Sequence, residues 1–98
     1  MKTRTTKRDI INSGKRVISI SYYAAQYLLS LAQPVHYYAG VYGWYADIYE
    51  FDDVYIVTGY RPFGEKVDHD IVKKYESEAK TTPYENRIDV LERFMKEV

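Results

Sequence analysis

Apolar and polar residues recur along this chain with two different periods, and each period predicts a kind of element. Arg16 to Ile20, RVISI, is a short β-branched run that suits a strand. Ser21 then serves as the N-cap of a helix YYAAQYLLSLA, in which Ala24, Leu28 and Leu31 fall at i, i+4 and i+7 and form one apolar stripe. Pro34 ends that helix. Val35 to Tyr60 predicts a three-strand antiparallel meander with turns at Tyr42-Gly43 and Asp52-Asp53, residues that tolerate turn geometry. Arg61-Pro62 stops the last strand, because proline cannot donate to a ladder and holds its predecessor extended.

The carboxyl-terminal third reads as helix. Asp68 is placed to cap a helix through about Lys80 with Ile71, Val72, Tyr75 and Ala79 on one face. Thr82-Pro83-Tyr84-Glu85 has the form of a capping box with proline at the first helical position. Beyond it Tyr84, Ile88, Leu91, Met95 and Val98 make an apolar stripe that either packs on the sheet or forms the seam of a homodimer. The expected fold class is α+β: a short amino-terminal strand and helix, a three-stranded antiparallel meander, and two carboxyl-terminal helices in one domain.

Two-residue loops in the meander would set Val41 opposite Trp44 and Phe51 opposite Val54, which defines the sheet faces. One face then carries Val35, Tyr37, Ala39, Val41, Trp44, Ala46, Ile48, Tyr55, Val57 and Gly59. Its row of small residues, Ala39-Ala46-Gly59, lets a helix approach, so this is the expected core face. The other carries His36, Tyr38, Tyr42, Tyr45, Asp47, Tyr49, Phe51, Ile56, Thr58 and Tyr60. Either a helix covers that second face or it meets a partner, since a contiguous exposed patch of this kind is uncommon on a monomer.

Composition sharpens this picture at three points. The chain of 98 residues holds 12 tyrosines against 3 phenylalanines and 1 tryptophan, so one residue type supplies both core rings and adhesive surface. Absence of cysteine excludes a disulfide framework, a thiolate metal site and a thiol nucleophile. Net charge is zero, which argues against a dedicated nucleic-acid or membrane-surface protein. Charge is nonetheless uneven: residues 1–16 carry six cations against one acid, 17–46 carry no charged residue, and 47–98 carry 13 acids against 8 bases. Met1 to about Lys7 lacks an apolar anchor and is expected to be a disordered basic arm. No stretch has the length and apolarity of a membrane span, and MKTRTTKRD leads into no apolar segment, so a cytoplasmic protein is expected.

Candidate chemistry is sparse. His36 shares its expected face with Asp47 on the neighbouring strand, about 7 to 8 Å away between Cα atoms, but no serine on that face completes a nucleophile set. Asp47, Glu50, Asp52 and Asp53 form an acidic cluster in which the two aspartates already serve as turn residues. Asn12-Ser13-Gly14-Lys15 lacks the spacing of a phosphate loop and reads as a turn. No catalytic residue, cofactor or metal ligand is assigned.

The block GVYGWYADIYEFDDVYIVTGYRPFG, followed by a helix with Lys73, Lys74 and Tyr75, resembles a group of small proteins from phages and mobile elements of Gram-positive bacteria. The likeness covers residues 35 to 80, and Tyr60-Arg61-Pro62-Phe63-Gly64 is its most distinctive part. It implies an accessory protein of a mobile element, a setting in which compact inhibitors of host defence, CRISPR systems included, or of nucleic-acid-processing machines are common. The expected function is a non-enzymatic module that binds a host protein or protein–nucleic acid complex, as a monomer or as a homodimer through the last helix, and not a membrane. Its expected partner surface is Tyr38, Tyr45, Tyr49 and Tyr60 with His36 and Arg61, since tyrosine offers ring area and a hydroxyl at little conformational cost. The alternative is a nucleic-acid binder that uses the basic arm for phosphates and the tyrosine face for bases.

Overall fold

A computed structural model describes residues 3–4, 7–32, 36–39, 45–60 and 62–98, with the backbone alone at 3, 4, 36–39 and 45. Element order is β1 (Thr3–Arg4), α1 (Lys7–Ile11), β2 (Arg16–Ser19), α2 (Tyr22–Leu28), β3 (His36–Ala39), β4 (Tyr45–Glu50), β5 (Val54–Tyr60), β6 (Glu65–Lys66), α3 (His69–Thr81) and α4 (Arg87–Glu97), the last entered through a 3₁₀ turn at Tyr84–Asn86. Helix and strand are thus mixed in an α+β chain.

The strand arrangement differs from the expected free-standing meander. β3, β4 and β5 do run antiparallel, but they are the middle of one mixed sheet ordered β1-β3-β4-β5-β2-β6. β2 lies parallel to β5 with Ile18 beside Ile56, both fully buried, because a β-branched run of this kind is most stable with neighbours on both edges and cover on its face. The two-residue strands β1 and β6 extend the sheet in parallel beside β3 and β2. β1 falls within the segment expected to be a disordered arm, and Thr3–Arg4 there pair with His36–Tyr37.

Register decides the faces. The β4–β5 pairing, Tyr45 with Tyr60 through Glu50 with Tyr55, agrees with a turn that sets Phe51 opposite Val54, and the Phe51 amide donates to the Val54 carbonyl at 2.9 Å. The β3–β4 pairing is one residue away from the expected one: Tyr38 opposes Ala46, and Ala39 opposes Tyr45. A one-residue slip moves a whole strand to the other face. Positions 36 and 38 therefore join the row of Ala46, Ile48 and Val57, while 37 and 39 join the row of Tyr45, Asp47, Tyr49 and Tyr60. The expected row of small residues Ala39-Ala46-Gly59 is thereby broken, because Tyr38 and not Ala39 stands opposite Ala46.

Both faces are covered. α2, α3 and α4 pack Ala24, Leu28, Val72, Tyr75, Leu91 and Phe94 against Ile18, Ile20, Val54 and Ile56. That is the face expected to be the partner surface, so at its β5–β2 half it is core. The opposite face, with Ala46, Ile48, Tyr55 and Val57, is closed by Ile10 of α1 and by Phe63. Phe63 can reach it because Gly64 takes a φ of +107° and lies so close to β2 that a Cβ would sit 2.8 Å from a Val17 methyl.

Two helix ends follow the expected chemistry and one does not. The Ser21 hydroxyl accepts from the Ala24 amide at 3.1 Å, and the Asp68 carboxylate from the Asp70 amide at 2.8 Å. The capping box at Thr82 does not form: its hydroxyl donates backwards to the Glu78 carbonyl at 2.7 Å and closes α3 instead of opening α4. The last stripe is spent within the chain, with Leu91 buried and Met95 and Val98 against the core, while Val90 and Phe94 carry most of the burial and Tyr84 and Ile88 stay exposed. Of the two uses expected of this stripe, packing within the domain is the one observed for Leu91, Met95 and Val98.

Candidate partner surface

Two exposed rings stand side by side where α2 begins. Ser21 caps the helix, so Tyr22 and Tyr23 are its first two residues, and the buried pattern Ala24, Ala25, Leu28 points both rings away from the core. Tyr22 is 51% and Tyr23 73% exposed, with their ring centroids 6.4 Å apart in an edge-on arrangement. Tyr49, on β4, is partly buried against the helix-side core. Its phenol is pushed above its usual range first by burial and then by the Asp47 carboxylate and Tyr22. Tyr60, at the end of β5, is 53% exposed and opposes Tyr45.

This geometry divides the expected partner residues. Tyr45, Tyr49 and Tyr60 share one face by register, but Tyr49 is partly covered by α2 and packs at the edge of the helix-side core. His36 and Tyr38 are placed by the β3 register on the opposite face, so they cannot act beside the other three. Arg61 lies outside the described residues. The same register separates His36 from Asp47, whose strand partner is Tyr37, and the His36–Asp47 pair weighed above does not exist. Tyr22 and Tyr23 were missed by the sequence analysis, although two rings directly after an N-cap and off the Ala24–Leu28 stripe are a legible signal of exposure.

The basic amino-terminal segment is partly consumed inside the molecule. Lys15 Nζ is 3.0 Å from a Glu50 carboxylate oxygen and lies over the Tyr55 ring; the Tyr55 hydroxyl donates to the same carboxylate oxygen at 3.1 Å. Arg16 makes two hydrogen bonds to Glu65, which hold that carboxyl below its usual range. Lys7 sits over the Phe63 ring at 5.6 Å. Asn12 to Lys15 form a turn, with the Ser13 hydroxyl bonded to the Ile10 carbonyl and the Lys15 amide.

A cleft of about 560 Å³ opens between the β4–β5 turn and the end of α4. Phe51, Val54 and Met95 supply its apolar surface, and Asp52, Asp53 and Glu92 its acidic rim. No histidine or serine lines it, and among the described residues no group of three or more acidic, histidine or cysteine side chains is arranged to hold a metal ion. Among the described residues no helix is long and apolar enough to cross a membrane. No protein-family model, curated protein or solved structure matches the chain.

Proposed function

We propose that this chain is a small non-enzymatic binding module that recognises a protein partner through the tyrosines around the start of α2, chiefly Tyr22 and Tyr23, with Tyr60 at the neighbouring end of the sheet. The observation that carries the proposal is the exposure of three large rings, each more than half open to solvent, on a 98-residue chain that has buried aliphatic side chains on both faces of its sheet. Tyrosine is the residue type that gains most from such a position, because it brings apolar area and a hydroxyl while immobilising only two torsions. The module acts by occupying its partner's surface, in the manner of an inhibitor of a larger host machine such as the mobile-element resemblance implies.

The nucleic-acid alternative is disfavoured by what the amino-terminal cations do. Lys15 and Arg16 are already paired with Glu50 and Glu65, and the sheet row beside Tyr22 carries Asp47. A single-strand binder instead interleaves aromatic rings with unpaired cations.

The test is affinity capture from nuclease-treated host lysate with the natural chain and with the double variant Tyr22→Ala/Tyr23→Ala. Proteins held by the first and lost by the second, at an unchanged melting temperature, are the expected result. Identical capture by both sinks the proposal, and capture that vanishes on nuclease treatment moves the function to nucleic acid.

A further inference from the structure

One cation in the helical layer has no acid to answer it. Arg87, the first residue of α4, is half-buried with its guanidinium between two rings, 5.6 Å from the centroid of Tyr27 and 5.7 Å from that of Tyr84. Its Nε is buried with no hydrogen-bond partner. Nη1 makes one long contact, 3.5 Å to the Ser30 hydroxyl, and Nη2 is neither bonded nor buried. Five donors thus have a single weak acceptor among them, and among the described residues no carboxylate lies within ion-pairing distance. Arg16 and Arg93, by contrast, each donate two hydrogen bonds to one carboxylate, Glu65 and Glu78 respectively.

One of the two rings is anchored. The Tyr84 hydroxyl donates to the Ser30 carbonyl at 3.1 Å, which ties that ring to the end of α2, and the Ser30 hydroxyl donates to the Tyr27 backbone carbonyl at 2.9 Å. Lys80 Nζ lies over the Tyr27 ring at 5.0 Å, with Glu76 at 3.6 Å as its partner. Around this point are Tyr23, one helical turn before Tyr27, and Ile88, 38% exposed beside Arg87.

We propose that Arg87, set beside Tyr27 and Tyr84, is the receptor for a single carboxylate on the protein partner, presented among apolar neighbours and not within an acidic run, which Glu76, Glu85, Asp89 and Glu92 of the helical layer would repel. This rests on the protein-binding function proposed above and names the chemistry of the partner. The planar fork matches a carboxylate, and packing beside two rings lowers the ordering cost that a fully exposed arginine would carry. Tyr23, Tyr84 and Ile88 receive the apolar neighbours of that carboxylate. A nucleic-acid strand fits less well, since α3 and α4 carry Glu76, Glu85, Asp89 and Glu92 and offer no continuous basic track for successive phosphates.

The test uses the full ¹⁵N-labelled chain and the Arg87 Nε–Hε resonance, which is identified by its loss in Arg87→Lys and is slowed in exchange by burial. Three probes are titrated: a blocked hexapeptide with one glutamate among leucines and serines, its counterpart with glutamine in that place, and a ten-residue oligothymidylate. The glutamate peptide is expected to shift the Arg87 signal saturably, with the glutamine peptide and the Arg87→Lys variant each weakening binding by about tenfold or more. Lys80→Gln, which leaves the arginine and both rings in place, serves if Arg87→Lys is not folded and should weaken binding by about two- to fivefold. An unmoved Arg87 signal, equal binding of the two peptides, or tighter binding of the oligothymidylate overturns the assignment. Lysate capture that depends on Tyr22 and Tyr23 but is unaffected by Arg87→Lys refutes the carboxylate receptor and leaves the binding module standing, whereas capture indifferent to Tyr22 and Tyr23 refutes the module itself.

Discussion

The two faces of the sheet are closed by unequal means. On one, three helices lay continuous stripes over Ile18, Ile20 and Ile56, and Phe94 sits at their centre with its ring 5.7 Å from that of Tyr75. On the other, the cover of Ala46, Ile48 and Val57 among the described residues comes from Ile10, in a helix of five residues, and from Phe63, in a loop. Burial spread over many side chains tolerates loss of one, whereas burial that depends on two anchors does not spread its losses. The helix-covered face is therefore the stability core, and the opposite face is a local structure whose opening need not unfold the chain.

Truncation at the centre of the helical layer should cost most. Phe94→Ala is expected to lower stability by about 3 to 5 kcal/mol, read as a drop in the urea midpoint with little change in slope. Ile10→Ala should cost about 2 kcal/mol, the lower end for buried aliphatic truncation, and should raise hydrogen exchange selectively at β4 and β5. The milder pair Phe94→Leu and Ile10→Val should add within about 0.5 kcal/mol; clear non-additivity would show that the two faces are one cooperative unit and end the comparison.

Gly64→Ala tests the loop that brings Phe63 to its place. A positive φ and a Cβ 2.8 Å from Val17 make a cost of about 1 to 3 kcal/mol the expected outcome by thermal denaturation. A neutral result would mean that the loop moves freely and that Phe63 contributes little to its face.

Alkaline pH distinguishes the faces by one tyrosine each. Tyr49 belongs to the helix-covered side and Tyr55 to the other, and burial raises both phenols above their ordinary value of 10.0. A raised folded-state value means that the unfolded chain ionises first, so the stability from each ring is complete below pH 10 and is lost as pH rises beyond it. Tyr49→Phe and Tyr55→Phe should each flatten that alkaline fall. Tyr55→Phe should also loosen Lys15, since it removes the bond to Glu50.

The smallest effect is expected at acid pH. Arg16 holds the Glu65 carboxyl below its ordinary value of 4.5, so this pair contributes above that pH and is lost as pH falls through the lowered value. Both groups are exposed, and Glu65→Gln should therefore flatten the acid limb only slightly, and less in high salt.

Elements with local chemistry were legible from residues alone. Ser21 and Asp68 cap because a short polar side chain before an apolar stripe has an orphan amide within reach, and Phe51–Val54 pair because two aspartates make a tight turn. Thr82 misleads for an equally local reason, since its hydroxyl can serve either the helix behind it or the one ahead, and the carbonyl of Glu78 is the nearer partner in the folded chain. The partner surface was legible only in kind. Tyrosine enrichment pointed to adhesion, but Tyr38 and Tyr45 lie in rows on opposite faces, and Tyr22 and Tyr23 are the exposed pair.

What the amino-acid sequence determined by itself is the alternation of periods, the starts of α2 and α3, the β4–β5 register and the absence of thiol chemistry, because each depends on residues within a few positions of one another. Only the tertiary structure decided which strand lies beside β5, which face the helices cover and how β3 registers on β4. Those choices compare burial energies between segments far apart in the chain. A slip of one residue between β3 and β4 changes little locally, yet it exchanges the whole of β3 between the two faces of the sheet.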